Sequence, residues 1–160
     1  MDLTKQIILA NKIGLTKGFN IETHDNYNLV RTTRNFQTKE TVLTSKCINI
    51  LTKSDRYTLQ KSTTHHIYMD APSIFINHSC DPNLGIRDNQ YNAYDFIAIK
   101  PIYANDELTF DYETAEETVD FFDKCLCASK QCRKSIIGFK HYEDIIRKKY
   151  GDFIADYLKK

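Results

Sequence analysis

Two short polar segments combine residue types that could carry chemistry. The first runs from Phe75 to Asn83 and reads Phe-Ile-Asn-His-Ser-Cys-Asp-Pro-Asn. The second runs from Asp106 to Tyr112 and reads Asp-Glu-Leu-Thr-Phe-Asp-Tyr. In the first, an apolar lead-in breaks into residues that favour turns, so its polar groups are presented rather than packed. Amide, imidazole and hydroxyl groups of this kind can bind a polar ligand and orient a reacting group.

A second chemical feature is a group of three closely spaced cysteines, Cys125-x-Cys127-x4-Cys132. Three thiolates at this spacing are one ligand short of a tetrahedral structural zinc site. The alternative is that small hydrophobic cysteines cluster in a core. Cys47 lies on a predicted strand and is interpreted as a core residue.

Together, the two polar segments, about thirty residues apart, resemble the signature of SET-domain protein-lysine methyltransferases. That signature reads N-H-S-C-x-P-N followed by E-L-T-F-D-Y. The cysteine trio, followed by Arg133, resembles the family's post-SET tail. The resemblance covers roughly residues 26 to 139. It implies methyl transfer from S-adenosyl-L-methionine to a lysine ε-amine of a protein or peptide, with a histone tail among the candidate substrates.

The resemblance also implies a fold that is mainly β with small helices, a β-clip-like arrangement of short sheets. In it, the segment around Tyr112 threads in a knot-like way through the loop that carries Asn77. A post-SET zinc knuckle and a C-terminal helix would follow. The implied divisions are an N-terminal segment (1–25), the SET domain (26–114), the zinc-binding tail (115–139) and the C-terminal helix (140–160).

Site roles follow from the same resemblance. Tyr112 would orient the acceptor amine, and Tyr57 would shape its channel, although a half-buried strand tyrosine is an equal alternative for Tyr57. Phe110 would set the number of methyl groups, and its lack of a hydroxyl implies di- or trimethylation. The implied cofactor-binding residues are Asn77, His78, Asn28, Tyr27 and Phe139, the last stacking on the adenine. The implied ligands of a structural Zn²⁺ are Cys80, Cys125, Cys127 and Cys132.

The chain departs from the family pattern at several positions. Asn26, Asn28 and Lys39 stand where the opening hairpin of the family has glycine, and Asn105 also replaces a glycine. Asn accepts a positive φ more readily than most residues, so these turns can form. Ile74 replaces an arginine that helps to bind the charged end of the cofactor, so another group must do that work.

Length and charge limit the classes of function. A chain of 160 residues fits one domain. Its 22 basic and 21 acidic residues create no overall field that would attract nucleic acid or a membrane. The apolar run Ile7 to Ala10 is shorter than the core of a signal peptide. These features predict a soluble intracellular protein without a membrane or a direct nucleic-acid partner.

The elements that must position the site are mostly short strands. A strand, a turn and a second strand are predicted within residues 26–45 and again within 47–60. A buried strand is predicted over 94–102 and an exposed hairpin over 84–95. The pattern of residues 1–25 does not distinguish a helix from a strand. Residues 141–160 show helical spacing, which Gly151 could divide, and they pack either on the sheet or on a partner subunit.

The stretch from Asp111 to Asp123 contains six acidic residues and no basic one. It is interpreted either as a solvated face or linker, or as a local negative surface that attracts a basic peptide.

Three function hypotheses remain open from the sequence. The first is the lysine methyltransferase, which requires binding of S-adenosyl-L-methionine. The second is a non-catalytic SET-like zinc module that binds a basic peptide, which the substituted glycines would favour. The third is a methyltransferase that acts on a small amine. Binding of the cofactor separates the second hypothesis from the others, and methylation of lysine peptides separates the first from the third.

Overall fold

The structure is a computed structural model that describes residues 2–25, 27–120, 122 and 124–160. Its helices are α1 (Leu3–Lys17) and α2 (Phe139–Tyr150). Its first six strands are β1 (Phe19–Thr23), β2 (Asn28–Thr32), β3 (Thr41–Thr44), β4 (Cys47–Leu51), β5 (Thr58–Gln60) and β6 (His66–Met69). The last four are β7 (Asn77–His78), β8 (Leu84–Asp88), β9 (Tyr94–Ala98) and β10 (Thr109–Phe110).

The strands form three small sheets, which confirms the prediction of a mainly β fold. The order β3-β9-β8-β10-β7 gives a five-stranded sheet, and β4-β6-β5 and β1-β2 form two smaller ones. In the largest sheet, β10 lies between β8 and β7 and runs parallel to both. Thr109 pairs with Asn77, and Phe110 pairs with His78. The register therefore brings the two polar segments of the sequence side by side.

The β8–β9 hairpin is buried at its base, so the prediction of an exposed hairpin over 84–95 is wrong for β8. Leu84, Gly85 and Ile86 are all buried, and Ile86 pairs with Phe96 in the core. A Cβ on Gly85 would meet the Phe153 ring at 2.7 Å. The C-terminal segment therefore covers this strand, which a local polar pattern does not reveal.

The N-terminal segment is a helix followed by a strand. The Asp2 carboxylate accepts a hydrogen bond from the Lys5 amide, and Gly18 ends the helix at a φ of 88°. Ala10 is buried while Ile8 and Leu9 are exposed. The apolar residues of α1 therefore do not share one face, which is why their spacing was ambiguous.

Two turns keep a glycine-like conformation without glycine. Lys39 has a φ of 73° and Asn105 a φ of 74°, both in the left-handed region that glycine adopts most readily. These are two of the positions where the family has glycine. Asn26, a third, lies outside the described residues.

The C-terminal helix is shorter than its predicted range of 140–160. It ends at Tyr150, Gly151 follows with a φ of 54°, and a short 3-10 turn covers Asp156–Leu158. Ile146 and Ile154 are buried in the main core. The segment thus packs on its own chain, the first of the two predicted alternatives. Among the described residues, no helix has the length and hydropathy needed to cross a bilayer.

Candidate active site

Asn77 ties the two polar segments to the start of β2. Its Nδ2 atom donates to the Asn28 carbonyl oxygen at 3.0 Å and to Glu107 Oε1 at 3.1 Å. Because β7 pairs with β10, the amide lies between strand ends that are distant in sequence. Asn77 therefore fixes the position of Asn28, a predicted cofactor-binding residue.

The His78 side chain is 5% exposed, and its imidazole is neutral. Its Nδ1 atom accepts a hydrogen bond from the Tyr112 amide at 3.2 Å, and its Nε2 atom lies 3.3 Å from Cys80 Sγ. Burial lowers the pKa of His78 to about 4, although Asp111 nearby acts in the opposite direction. His78 thus connects the predicted catalytic tyrosine with the cysteines.

Tyr112 has its hydroxyl fixed at the end of the β7 segment. The hydroxyl donates to the Ile76 carbonyl oxygen at 3.1 Å. Burial, followed by the negative charge of Glu116, raises the pKa of Tyr112 above its usual range. The ring packs against Phe110 with centroids 4.9 Å apart and against Phe122 at 5.9 Å. Tyr112 is therefore a neutral hydrogen-bonding group at neutral pH.

Two adjacent cavities meet at Tyr112. The larger, about 570 Å³, is lined by four of the predicted cofactor-binding residues, namely Tyr27, Asn28, Asn77 and His78. The smaller, about 40 Å³, is lined by the three predicted catalytic residues, namely Tyr57, Phe110 and Tyr112. The walls that both cavities share are formed by Arg56, Tyr57, Ile74, Tyr112 and Phe122.

Of the predicted catalytic and cofactor-binding residues, Phe139 is the one that does not line either cavity. It begins α2 and is buried in the main core. The Arg147 guanidinium lies 5.1 Å from its ring centroid. Among the described residues of the tail, the apolar side chains that line the larger cavity include Phe122, Leu126 and Ile136.

The cysteines of the tail meet Cys80. The Sγ atoms of Cys80 and Cys125 are 3.7 Å apart, and all four predicted ligands belong to one small cluster with Val119 and Ile136. One ligand atom each from His78, Cys80, Cys125 and Cys127 lies within 4.8 Å of the others. Cys132 stands at the edge of this group, with its Sγ atom 3.8 Å from the Cys125 carbonyl oxygen. Either the four thiols, or three thiols with the imidazole, suit the tetrahedral coordination of a structural zinc ion.

Half of the acidic stretch is buried, so both interpretations of it are wrong for Asp111, Glu113 and Glu116. These three side chains are buried, and Arg133 from the tail contacts the first two. Glu116 accepts a hydrogen bond from the backbone amide of Gln60 at 2.8 Å. Asp120 is exposed, and Asp123 lies outside the described residues. Arg133, which directly follows the last cysteine, supplies the positive charge beside Asp111 and Glu113. These two acids therefore need no basic neighbour in the sequence.

A family model for the SET domain matches residues 21–113, more than half of the chain. The chain belongs to the SET-domain family. The matched residues of this SET domain include both polar segments and end one residue beyond Tyr112, so the cysteine trio of the tail lies outside them.

Two fungal proteins illustrate the similarity in sequence. The chain is 39% identical over 82 residues to the Histone-lysine N-methyltransferase, H3 lysine-9 specific KMT1, of Fusarium mangiferae, a match that covers 42% of this chain and 24% of the relative. It is 36% identical over 83 residues to the Histone-lysine N-methyltransferase, H3 lysine-9 specific dim-5, of Neurospora crassa. This match covers 41% of this chain and 25% of the relative. The match thus spans about a quarter of each relative.

Solved structures show the same fold. The Arabidopsis thaliana SUVH6 in complex with SAM gives a TM-score of 0.58 at 21% identity, covering 72% of this chain and 32% of that one. The methyltransferase domain of human Histone-lysine N-methyltransferase SETMAR gives a TM-score of 0.54 at 20% identity. That match covers 75% of this chain and 58% of the other chain. At these identities the similarity concerns the fold of the SET domain.

Sequence reasoning missed several residues of the site. Phe122 lines both cavities, and Lys124 lines the larger one. The Glu107 carboxylate accepts a hydrogen bond from the Asn77 side-chain amide. The position of Glu107 within the second polar segment was a signal that could have identified it. Phe122 and Lys124 lie in a stretch with no strand or helix pattern, so only the folded chain brings them to the site.

Proposed function

We propose that this SET domain transfers methyl groups from S-adenosyl-L-methionine to the ε-amine of lysine in a protein substrate. The observation that carries the proposal is the shared wall at Tyr112. A methyl donor and its acceptor must approach in line from opposite sides of one point. Two cavities of different size that share a wall including Tyr112 offer such an arrangement.

The larger cavity suits the cofactor in size and in polarity. Its volume of about 570 Å³ falls within the usual range for small-molecule pockets, about 300 to 1,000 Å³. Asn28 Oδ1 is buried without a hydrogen-bond partner, so a polar ligand would satisfy it. Glu107 and Lys124 supply opposite charges at the wall, which complement the amino-acid end of the cofactor. Lys124 would replace the arginine whose position Ile74 occupies.

The smaller cavity suits an extended amine side chain. Its aromatic wall includes Tyr57, Phe110 and Tyr112. A lysine ammonium has a pKa near 10.4 in water and must lose a proton before it attacks. Removal from water beside the aromatic rings favours the neutral amine, whereas the Asp55 and Glu116 carboxylates that line the same cavity favour the ammonium that first binds.

Tyr112 orients the acceptor and stabilises the charge on the moving carbon. The cofactor supplies a methyl group activated by its sulfonium. The neutral hydroxyl of Tyr112, fixed by the Ile76 carbonyl oxygen, is a hydrogen-bonding partner rather than a base. Its oxygen and nearby carbonyl oxygens attract the partial positive charge of the transferred methyl group.

Phe110 supports a product with more than one methyl group. Its ring packs against Phe96 with centroids 5.3 Å apart and against Tyr112 at 4.9 Å. No hydroxyl is present there to hold a water molecule beside the amine. The amine would therefore have room to turn and accept a second or third methyl group.

A structural zinc ion would fasten the tail over the larger cavity. We assign Cys80, Cys125, Cys127 and Cys132 as its ligands, because thiolates predominate in closed structural sites. Cys127 also lines the larger cavity. The ion would therefore hold Leu126 and Ile136 in place as part of the cofactor wall.

A histone tail is the first protein substrate to test, because the fungal relatives are named as enzymes specific for lysine 9 of histone H3. Calorimetry with S-adenosyl-L-methionine and its demethylated product would measure cofactor binding to the zinc-loaded protein. Transfer of radiolabelled methyl groups to H3 peptides, other lysine peptides and small amines would then identify the acceptor. Absence of cofactor binding would instead support the peptide-binding module, and labelling of small amines alone would support the third hypothesis.

Tyr112→Phe tests the role of the hydroxyl. We expect turnover to fall by roughly a hundredfold or more, because one preorganised polar group is lost at the reacting centre. Cofactor affinity should change little. Tyr103→Phe is the matched control, because Tyr103 is 62% exposed and does not line either cavity. Full turnover in Tyr112→Phe would contradict the assignment.

A further inference from the structure

A single guanidinium holds both sequence neighbours of Tyr112. Arg133 donates to Asp111 Oδ2 at 2.8 Å and to Asp111 Oδ1 at 2.7 Å, and it also contacts the Glu113 carboxylate. The Arg133 side chain is 10% exposed, whereas both carboxylates are fully buried. Charged groups at this depth need well-placed partners, so the contacts constrain the backbone on both sides of the tyrosine.

Arg133 is itself fixed by the cysteine cluster. It follows Cys132 directly, and its backbone amide donates to Cys80 Sγ at 3.4 Å. The guanidinium lies 5.2 Å from the Tyr142 ring centroid. The main chain of Arg133 is therefore positioned by the thiols, while its side chain reaches the segment that carries Tyr112.

Two further elements support the same carboxylates. The Tyr150 hydroxyl, at the end of α2, donates to Asp111 Oδ2 at 2.8 Å. Glu113 Oε1 accepts from the Ile137 and Gly138 amides at 3.0 and 3.2 Å. Tail and C-terminal helix thus converge on the two residues that flank Tyr112.

We propose that Arg133 is a positioning residue that sets the placement of the Tyr112 hydroxyl and transmits the state of the cysteine cluster to it. The assignment of a catalytic effect rests on the proposed function of Tyr112. Arg133 lines neither cavity, so its influence on methyl transfer passes through Asp111 and Glu113. Metal loading and methyl transfer are thereby linked by a side chain that is not a ligand.

Arg133→Lys tests the link, since it keeps the charge but loses the paired contacts with Asp111. The protein would be labelled with 3-fluorotyrosine, and Tyr112→Phe would assign the fluorine resonance of Tyr112. We expect Arg133→Lys to shift or broaden that resonance while zinc content and affinity for the demethylated cofactor are retained. Removal of the metal by a chelator should perturb the same resonance. Arg147→Lys is the matched control, because Arg147 lies on α2 and pairs with Glu143.

A double-mutant cycle that measures kcat for Arg133→Lys and Tyr112→Phe supplies the second readout. Arg133→Lys should lower kcat by roughly tenfold to a hundredfold, as expected for a small misplacement of a reacting group. In the Tyr112→Phe background it should change the residual rate by less than about twofold, because the effect passes through the lost hydroxyl. If Arg133→Lys fails to fold, Glu113→Gln removes one carboxylate charge while it keeps an acceptor for the Ile137 and Gly138 amides.

The outcomes separate the two proposals. A wild-type protein without methyl transfer would end the proposed function, while a shifted Tyr112 resonance would still support the positioning role. An unchanged Tyr112 resonance in zinc-loaded Arg133→Lys would overturn the inference, whatever the activity of the wild type. Equal rate losses with and without the Tyr112 hydroxyl would overturn it as well.

Discussion

Gly138 joins the cysteine tail to α2 in a conformation and a space that only glycine fits. Its φ is 104° and its ψ is 162°, a region almost restricted to glycine. A Cβ there would lie 2.5 Å from the Glu117 carbonyl oxygen and 2.5 Å from Thr118 Cα. Gly151 provides a matched comparison, because it also has a positive φ, 54°, but a Cβ there would meet nothing within 4 Å.

The pair separates backbone strain from steric conflict. A strained backbone costs about 1–3 kcal/mol at either site, and overpacking adds about 1–3 kcal/mol only at Gly138. We therefore expect Gly138→Ala to lower the free energy of unfolding by about 1–3 kcal/mol more than Gly151→Ala. For a domain of this size each kcal/mol lowers Tm by about 2–4 °C, so the two Tm values should differ by about 2–12 °C.

Urea denaturation of both variants with zinc present would measure the difference as a change in midpoint at constant slope. Gly138→Ala should also weaken cofactor binding, because the displaced segment includes the amide that donates to Glu113. Equal midpoints for the two variants would refute the close approach of Gly138 to Thr118.

Three further predictions concern the site directly. Asn77→Ala should abolish calorimetric binding of the demethylated cofactor, because it frees Glu107 and the Asn28 carbonyl oxygen from their shared donor. Cys127→Ser should lower zinc content, measured by metal analysis, and weaken cofactor binding with it, whereas Cys47→Ser should retain both. Phe110→Tyr should shift the product towards monomethyl-lysine in mass spectra of an exhaustively treated peptide.

Each of these predictions has a result that would contradict it. Cofactor affinity in Asn77→Ala within twofold of wild type would remove that residue from the binding site. One zinc per chain in Cys127→Ser would leave His78 as the alternative ligand. For Phe110, the decisive comparison is the wild type, and an exclusively monomethylated product from it would contradict the assignment.

Part of the candidate site could be predicted because its residues lie in two dense motifs. Asn77, His78 and Tyr112 are brought together by the pairing of β7 with β10, and each was named from its motif. Phe139 was named from its position after the cysteines alone. The start of α2 places its ring in the core instead, because the helix needs an apolar side chain on its buried face.

Long-range charge pairing could not be predicted from the sequence. Asp111, Glu113 and Glu116 were interpreted as exposed because no basic residue stands near them in the chain. Arg133 reaches two of them only after the tail folds back. The same limit applies to Phe122, whose contact with Tyr112 depends on the path of the tail.

The position of β10 between β8 and β7 affects the order in which strands can pair while the chain is being synthesised. Asn77 and Leu84 leave the ribosome well before their partners Thr109 and Phe110. Until those partners arrive, neither short strand has its parallel neighbour, and such non-local pairing forms slowly. Under the proposed function, we expect S-adenosyl-L-methionine to bind only the completed fold, so it should slow unfolding without accelerating refolding.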